Sequence, residues 1–256
     1  MREKLIALSM VKKGDWNEIY RFLQRDRQLE SINKEAALSL VEKLDCETIT
    51  LVDDDYPEAW RDMSKPPFVV YFRGDKTLLS KKLIAVVGGK NPSVYTQRIL
   101  NRLFNQLPAD VSVMGGLEIG VESHVIEIVN HRVTFFAAGI DEGDYYLAAP
   151  AYSTFKDKDL ILSELPPGET LDLSAYYRIY HLLCELSSVV CVFELPQSDI
   201  RLKYLTYLLD IGKPVFVLPD RDKTSSRGGL KLMSRGAKPL LGRSDILNTS
   251  STSTYS

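Results

Sequence analysis

A chain of 256 residues that is 45% hydrophobic and 26% charged can bury a core, as one large domain or as a domain of about 200 residues with a small appendage. No apolar run approaches the roughly 18 residues a membrane span needs, and the start, MREKLIALSMVKKGDW, is broken by charge before any signal-like core develops, so a cytoplasmic protein without membrane attachment is expected. The net charge of −2 gives no overall sign of nucleic-acid affinity, but residues 196–240 hold nine bases against four acids, while residues 141–172 hold eight acids against two bases.

Residues 1–50 read as a small helical domain. Leu5, Ile6 and Leu8, then Trp16, Ile19, Tyr20 and Leu23, recur at helical spacing, and Asn33 can cap a third helix through Ala36, Ala37, Leu40, Val41 and Leu44. From Thr48 to Asp75 the texture changes to a strand in TITLVD, a turn into a short helix at Pro57, and a strand in PPFVVYFRGD. This stretch is predicted to be the hinge between two units. The triplet Asp53–Asp55 fits helix capping better than acid–base chemistry.

Strands then alternate with amphipathic segments: LIAVV from Leu83, VSVM from Val111, VTFFAA from Val133, LILSEL from Leu160, SVVCVFE from Ser188 and PVFVLP from Pro214. Fully apolar strands separated at the period of βαβ units predict an α/β fold with a doubly wound, mostly parallel sheet over residues 51–243, where ligands bind beyond the carboxyl ends of the strands. Residues 244–256 are predicted to be a flexible tail.

Those strand ends carry the candidate binding residues. KLIAVVGGKNPS places Gly88, Gly89, Lys90 and Ser93 in a turn between a strand and a helix, a geometry that either cradles a phosphate or simply allows close packing. MGGLEIGVESH adds a second glycine turn, Gly115 and Gly116, with Gly120 opening the next helix on the same edge. In SELPPG, Glu164 would repel a phosphate, so it is predicted to orient a lysine, an arginine or a backbone amide. Tyr176, Tyr177 and Tyr180 can stack bases or fill the core. No GxSxG elbow and no Walker motif occurs. The three cysteines, Cys46, Cys184 and Cys191, are expected as buried free thiols, and the three histidines form no metal-ligand pattern.

Assembled in order, these blocks resemble the DprA/Smf family of DNA-processing proteins over Asp53 to Leu241. DDDYPEAWRDMSKPPFVVYFRGD is similar to the family's entry segment, IAVVGGKNPSVY to its Val-Gly-Ser-Arg turn, and GGLEIGVE to Ser-Gly-Leu-Ala-x-Gly-Ile-Asp. LILSELPPG is similar to Ser-Glu-x-Pro-x-Gly, and GKPVFVLP with SRGGLKLMSRGAK to the last strand and Gly-Ala turn. The resemblance implies an extended Rossmann-like fold and a non-enzymatic role without cofactor: members bind single-stranded DNA during natural transformation, protect it and load RecA recombinase onto it, working as homodimers.

The departures fall on charged positions. Lys90 replaces the turn arginine and loses its bidentate fork. The family's Arg-Asn-Arg falls on Ile179-Tyr180-His181, leaving Arg178 and His181 as substitutes, and QSDIRLK replaces Ser-Gly-Ser-Leu, bringing Arg201 and Lys203. The resemblance therefore implies a DNA- or phosphate-binding set of Gly88, Gly89, Lys90, Ser93, Gly115, Gly116, Gly120, Arg178, His181, Arg201 and Lys203, oriented by Glu164. It also implies a member without the C-terminal winged-helix domain that many carry. Competing readings are a nucleotide-hydrolysing Rossmann-like enzyme, akin to a phosphoribohydrolase but lacking its Pro-Gly-Gly-x-Gly-Thr loop, and a degenerate paralogue keeping only protein partners.

Overall fold

A computed structural model describes residues 1–25, 28–116, 119–141, 155–170, 173–219 and 226–249. Among these, the N-terminal unit is built from α1 (Arg2–Val11), α2 (Trp16–Leu23), the single turn α3 (Gln28–Ser31) and α4 (Lys34–Val41), one helix more than the apolar spacing predicts. Asn33 caps α4 by accepting the Ala36 N–H at 2.9 Å. The unit is too small to close its own core, and Leu5, Ile6, Leu8 and Ile19 pack against Phe68, Val69 and Tyr71 of the neighbouring sheet.

The strands are β1 (Glu47–Thr50), β2 (Val69–Gly74), β3 (Lys82–Gly88), β4 (Val111–Gly115), β5 (Arg132–Phe136), β6 (Leu160–Ser163), β7 (Val189–Phe193), β8 (Val215–Val217) and β9 (Lys238–Pro239). They form one sheet in the order β1-β2-β6-β5-β4-β3-β7-β8-β9. Every neighbour from β6 to β9 is parallel, and β1 and β2 add an antiparallel edge. The helices between them are α5 (Glu58–Arg61), α6 (Val94–Phe104), α7 (Val121–Ile128), α8 (Leu173–Leu186), α9 (Arg201–Asp210), α10 (Arg227–Met233) and α11 (Arg243–Leu247).

The two-residue period of β3 divides the core. Leu83, Ala85 and Val87 join Ile179, Leu182 and Leu183 of α8 and Leu202, Leu205 and Leu208 of α9, whereas Ile84 and Val86 join Leu100, Leu103 and Phe104 of α6 and Val121 and Val125 of α7. Helices therefore cover both faces, as a doubly wound sheet requires. The chain leaves β3 toward β4 and returns later to β7 on the other side. The ends of these three strands, Gly88, Gly115 and Phe193, flank the topological switch point where such sheets take ligands.

Three expectations are corrected. The stretch read as a hinge is the antiparallel edge of the sheet itself, its register fixed by Glu47 opposite Phe72 and Tyr71 opposite Ser163. Within it, Asp53 caps a turn and not a helix: it accepts the Thr50 N–H at 2.9 Å and ties down Arg2 at 3.1 Å. The expected tail begins as α11, whose Ile246 is fully buried and whose carbonyl end, with that of Thr249, takes the Lys82 ammonium. The rest of the tail, residues 250–256, lies outside the described residues, as do residues 220–225 of the basic stretch and Leu117 and Glu118 of the second glycine turn. Cys184 and Cys191 are buried free thiols, and Cys46 is a partly buried one. No helix among the described residues is long and apolar enough to cross a membrane.

Candidate functional site

The first glycine turn is interlocked with its surroundings. A Cβ on Gly89 would run into the Glu194 carbonyl oxygen, and Gly120, at φ +120°, lies against the carbonyls of Gly89 and Lys90. The Gly89 N–H is bonded to the Phe193 carbonyl at 3.1 Å, and the Gly89 carbonyl accepts the Val121 N–H at 3.1 Å. Gly88 meets Val121 in the same way, and a Cβ on Gly116 would lie 2.7 Å from both Glu122 and the Tyr180 hydroxyl. Of the two readings of these glycines, close packing between β3, α7 and the end of β7 is the one the backbone displays; Gly115 packs more loosely, against Ile126.

A carboxylate holds the N-terminus of α6. Glu194, directly after β7, accepts the Ser93 N–H at 2.8 Å and the Thr96 hydroxyl at 2.8 Å, and it also receives the Ser93 hydroxyl. Ser93 in turn caps the helix through the Thr96 N–H. Glu194 is only 5% exposed, and its backbone is left-handed at φ +42°.

Arg201 sits beneath the second turn. Its guanidinium donates to Glu122 at 2.6 Å, to the Gly88 carbonyl at 2.8 Å, to the Tyr180 hydroxyl at 3.1 Å and to both oxygens of Asp199. Burial alone would lower its pKa, but Asp199 and Glu122 together hold it above the ordinary arginine value. The reading of Arg201 as a phosphate contact is therefore corrected: all three nitrogens are committed inside the protein. Tyr180, 2% exposed and bonded to Glu122, fills the core and does not stack bases.

The remaining candidates divide by place. Lys90 is exposed on the rim of an open recess of about 400 Å³, with Asn91 and Gln97 beside it and Ser123, His124 and Glu127 of α7 opposite. His124 Nε2 is shielded from solvent there and has no hydrogen-bond partner. Glu164 takes Arg178 in a two-pronged ion pair at 2.8 and 3.0 Å. That pair lines a second cleft, between the α1–α2 turn and the ends of β5 and β6. His181 stacks on Tyr204 with ring centroids 3.7 Å apart, and burial, then the nearby Arg178 charge, push its pKa down to about 4, so the ring is uncharged at neutral pH. Lys203 is exposed on α9.

Residues 47–251 match the model of the family described as DNA recombination-mediator protein A. The chain belongs to that family. The DNA processing protein DprA of Bacillus subtilis is 28% identical over 210 residues, 78% of this chain and 69% of that protein. Protein Smf of Synechocystis is 23% identical over 209 residues, 78% of this chain and 52% of that one. Among solved structures, DNA processing protein A of Helicobacter pylori, described by its single-stranded DNA binding mode, has a TM-score of 0.71 at 21% identity, covering 81% of this chain and 96% of that one. The Streptococcus pneumoniae protein has a TM-score of 0.72 at 18% identity, covering 97% and 93%.

Within this recombination-mediator fold the residues that organise the switch point are Glu122, Glu194 and Asp199, none of them in the predicted set. Each has a faint sequence signal: Glu194 is a lone acid closing an apolar strand, Glu122 follows the Gly120 turn, and Asp199 stands two residues before a base.

Proposed function

We propose that the protein binds single-stranded DNA by its phosphates across the carboxyl edge of the sheet, protects it, and passes it to a RecA-type recombinase, acting as a cytoplasmic homodimer without chemistry on the strand. The observation that carries this reading is the exposed Lys90, just beyond the end of β3, on the rim of an open recess between α6 and α7, in a chain of the recombination-mediator family. An open recess suits a polymer that crosses it. Beyond it, Arg227 and Lys231 are exposed one helical turn apart on α10, with Arg235 and Lys238 following. The α10 entry is tied to the end of β7 by the Gly228 N–H on the Leu195 carbonyl, at 2.9 Å, so Arg227 and Lys203 start from the same edge, whereas Arg235 and Lys238 follow where α10 runs back toward the start of β9. Phosphate contacts of this kind position a strand without reading its sequence. The single-stranded DNA binding attributed to the Helicobacter pylori relative supports the same ligand.

Fluorescence anisotropy with an oligothymidine across a salt series tests the reading. The affinity falls as salt rises, with a log–log slope of about −0.7 for each phosphate neutralised, and Lys90→Ala both weakens binding and flattens that slope. A flat salt response, or undiminished affinity in Lys90→Ala, overturns it. Assembly of RecA filaments on protein-coated strands and the mass in solution by light scattering test the partner and the dimer.

A further inference from the structure

We propose that Glu194 makes this site selective for a nucleic-acid strand over free nucleotides, by standing as the protein's own anion at the N-terminus of α6. The proposal rests on the DNA-binding reading above and names what the same site refuses. In doubly wound sheets a free nucleotide places its phosphate over the first glycine turn, where the helix N-terminus offers unpaired N–H groups and partial positive charge. Here that place is filled from within. The Glu194 carboxylate takes the Ser93 N–H at 2.8 Å and both nearby hydroxyls, of Ser93 and Thr96.

The turn behind it is equally spent. The Gly89 N–H is bonded to Phe193, and the Gly88 N–H faces Glu122, whose buried carboxylate is itself held by Arg201. An incoming phosphate would find the Gly89, Ser93 and Thr96 N–H groups already taken and would meet the Glu194 carboxylate in a poorly solvated place, where like charges repel strongly. Glu194 holds its position in a left-handed backbone, φ +42°, and only a glycine at position 89 lets its carbonyl come so close. A phosphate is thus left with the outer surface, at Lys90 and Asn91. One contact there is too little for a mononucleotide, whereas a strand adds contacts along its length.

The test uses the full chain, with thermal unfolding read at matched ionic strength in inorganic phosphate and in ADP, and displacement of labelled oligothymidine by ADP. The wild type shows no saturable rise in Tm with either anion, and ADP fails to displace the strand at millimolar concentration. Glu194→Gln, which keeps the shape and removes the charge, gains a saturable Tm rise with phosphate and binds ADP at least about tenfold more tightly than the wild type. Should Glu194→Gln not fold, Glu194→Ala, which removes the carboxylate outright, is read in the same way. Saturable binding of phosphate or ADP by the wild type, or no gain in a folded variant, overturns the proposal. Oligothymidine that fails to bind the wild type, while phosphate is refused and the variant accepts it, removes the DNA reading and leaves the role of Glu194 standing.

Discussion

Arg201 and Glu122 meet at 2.6 Å with their side chains 6% and 0% exposed, and this ion pair joins α9 to α7 directly beneath the two glycine turns. Asp199, the Tyr180 hydroxyl and the Gly88 carbonyl occupy the rest of the guanidinium, so the charge is buried but fully bonded. Removing one partner of such a pair strands the other charge in a dry place. Arg201→Met should therefore lower the urea-unfolding free energy by about 3–5 kcal/mol. Pairing it with Glu122→Leu should restore much of that loss, because desolvation of both charges is then avoided. A double mutant no more stable than Arg201→Met would show that the pair is not what holds these elements.

The glycines give a comparison inside one molecule. Gly120 is at φ +120° and faces the carbonyls of Gly89 and Lys90, whereas Gly212 is at φ +77° with nothing within 4 Å of a Cβ. Gly212→Ala meets only the backbone penalty, about 1–2 kcal/mol. Gly120→Ala adds a collision with carbonyls that cannot retreat without moving the turn, so its loss of stability should exceed that of Gly212→Ala by at least about 1 kcal/mol. Chemical denaturation of the two variants side by side measures the difference.

The contrast between these positions marks how far the sequence could be read. Apolar runs such as Leu83–Val87 announce buried parallel strands, and the boundaries of β3, β4 and β7 follow from composition alone. That Glu164 orients a group of the protein was legible, since a carboxylate at a phosphate-facing edge repels the ligand, but which group was not: Arg178, read as a DNA contact, is its partner. Nor was the place of Arg201. Its partner Glu122 lies 79 residues away, and nothing local separates a base that reaches solvent from one folded under a turn. Likewise β1 and β2 looked like a hinge because an outer antiparallel pair has the same alternating texture whether or not a sheet continues beyond it.

At the recess, Lys90 stands where the resemblance implies an arginine. A lysine offers a point charge on a flexible stem, and an arginine offers a planar fork that grips two phosphate oxygens. Lys90→Arg should tighten oligothymidine binding by about three- to tenfold at moderate salt, the yield of one added charge-assisted hydrogen bond after ordering costs. The salt slope should stay the same, since the net charge is unchanged. Anisotropy titrations of both proteins over one salt series decide it: equal affinities would mean that Lys90 does not touch the strand.

His181 makes stability depend on pH in a defined window. Burial against Tyr204, and then the charge of Arg178, lower its pKa from 6.5 to about 4 in the folded chain. Between those two values the unfolded chain binds a proton that the folded chain does not. Stability from the neutral ring is therefore complete above about pH 6.5 and is lost as the pH falls toward 4. His181→Phe keeps an aromatic ring against Tyr204 and has nothing to protonate. Urea unfolding at pH 7.5 and pH 5 should then show the wild type losing about 1 kcal/mol more than His181→Phe, a figure discounted for partial solvent exposure. Parallel losses in the two proteins would mean that acid sensitivity resides in the carboxylates and that the His181 ring is charged as readily in the fold as outside it.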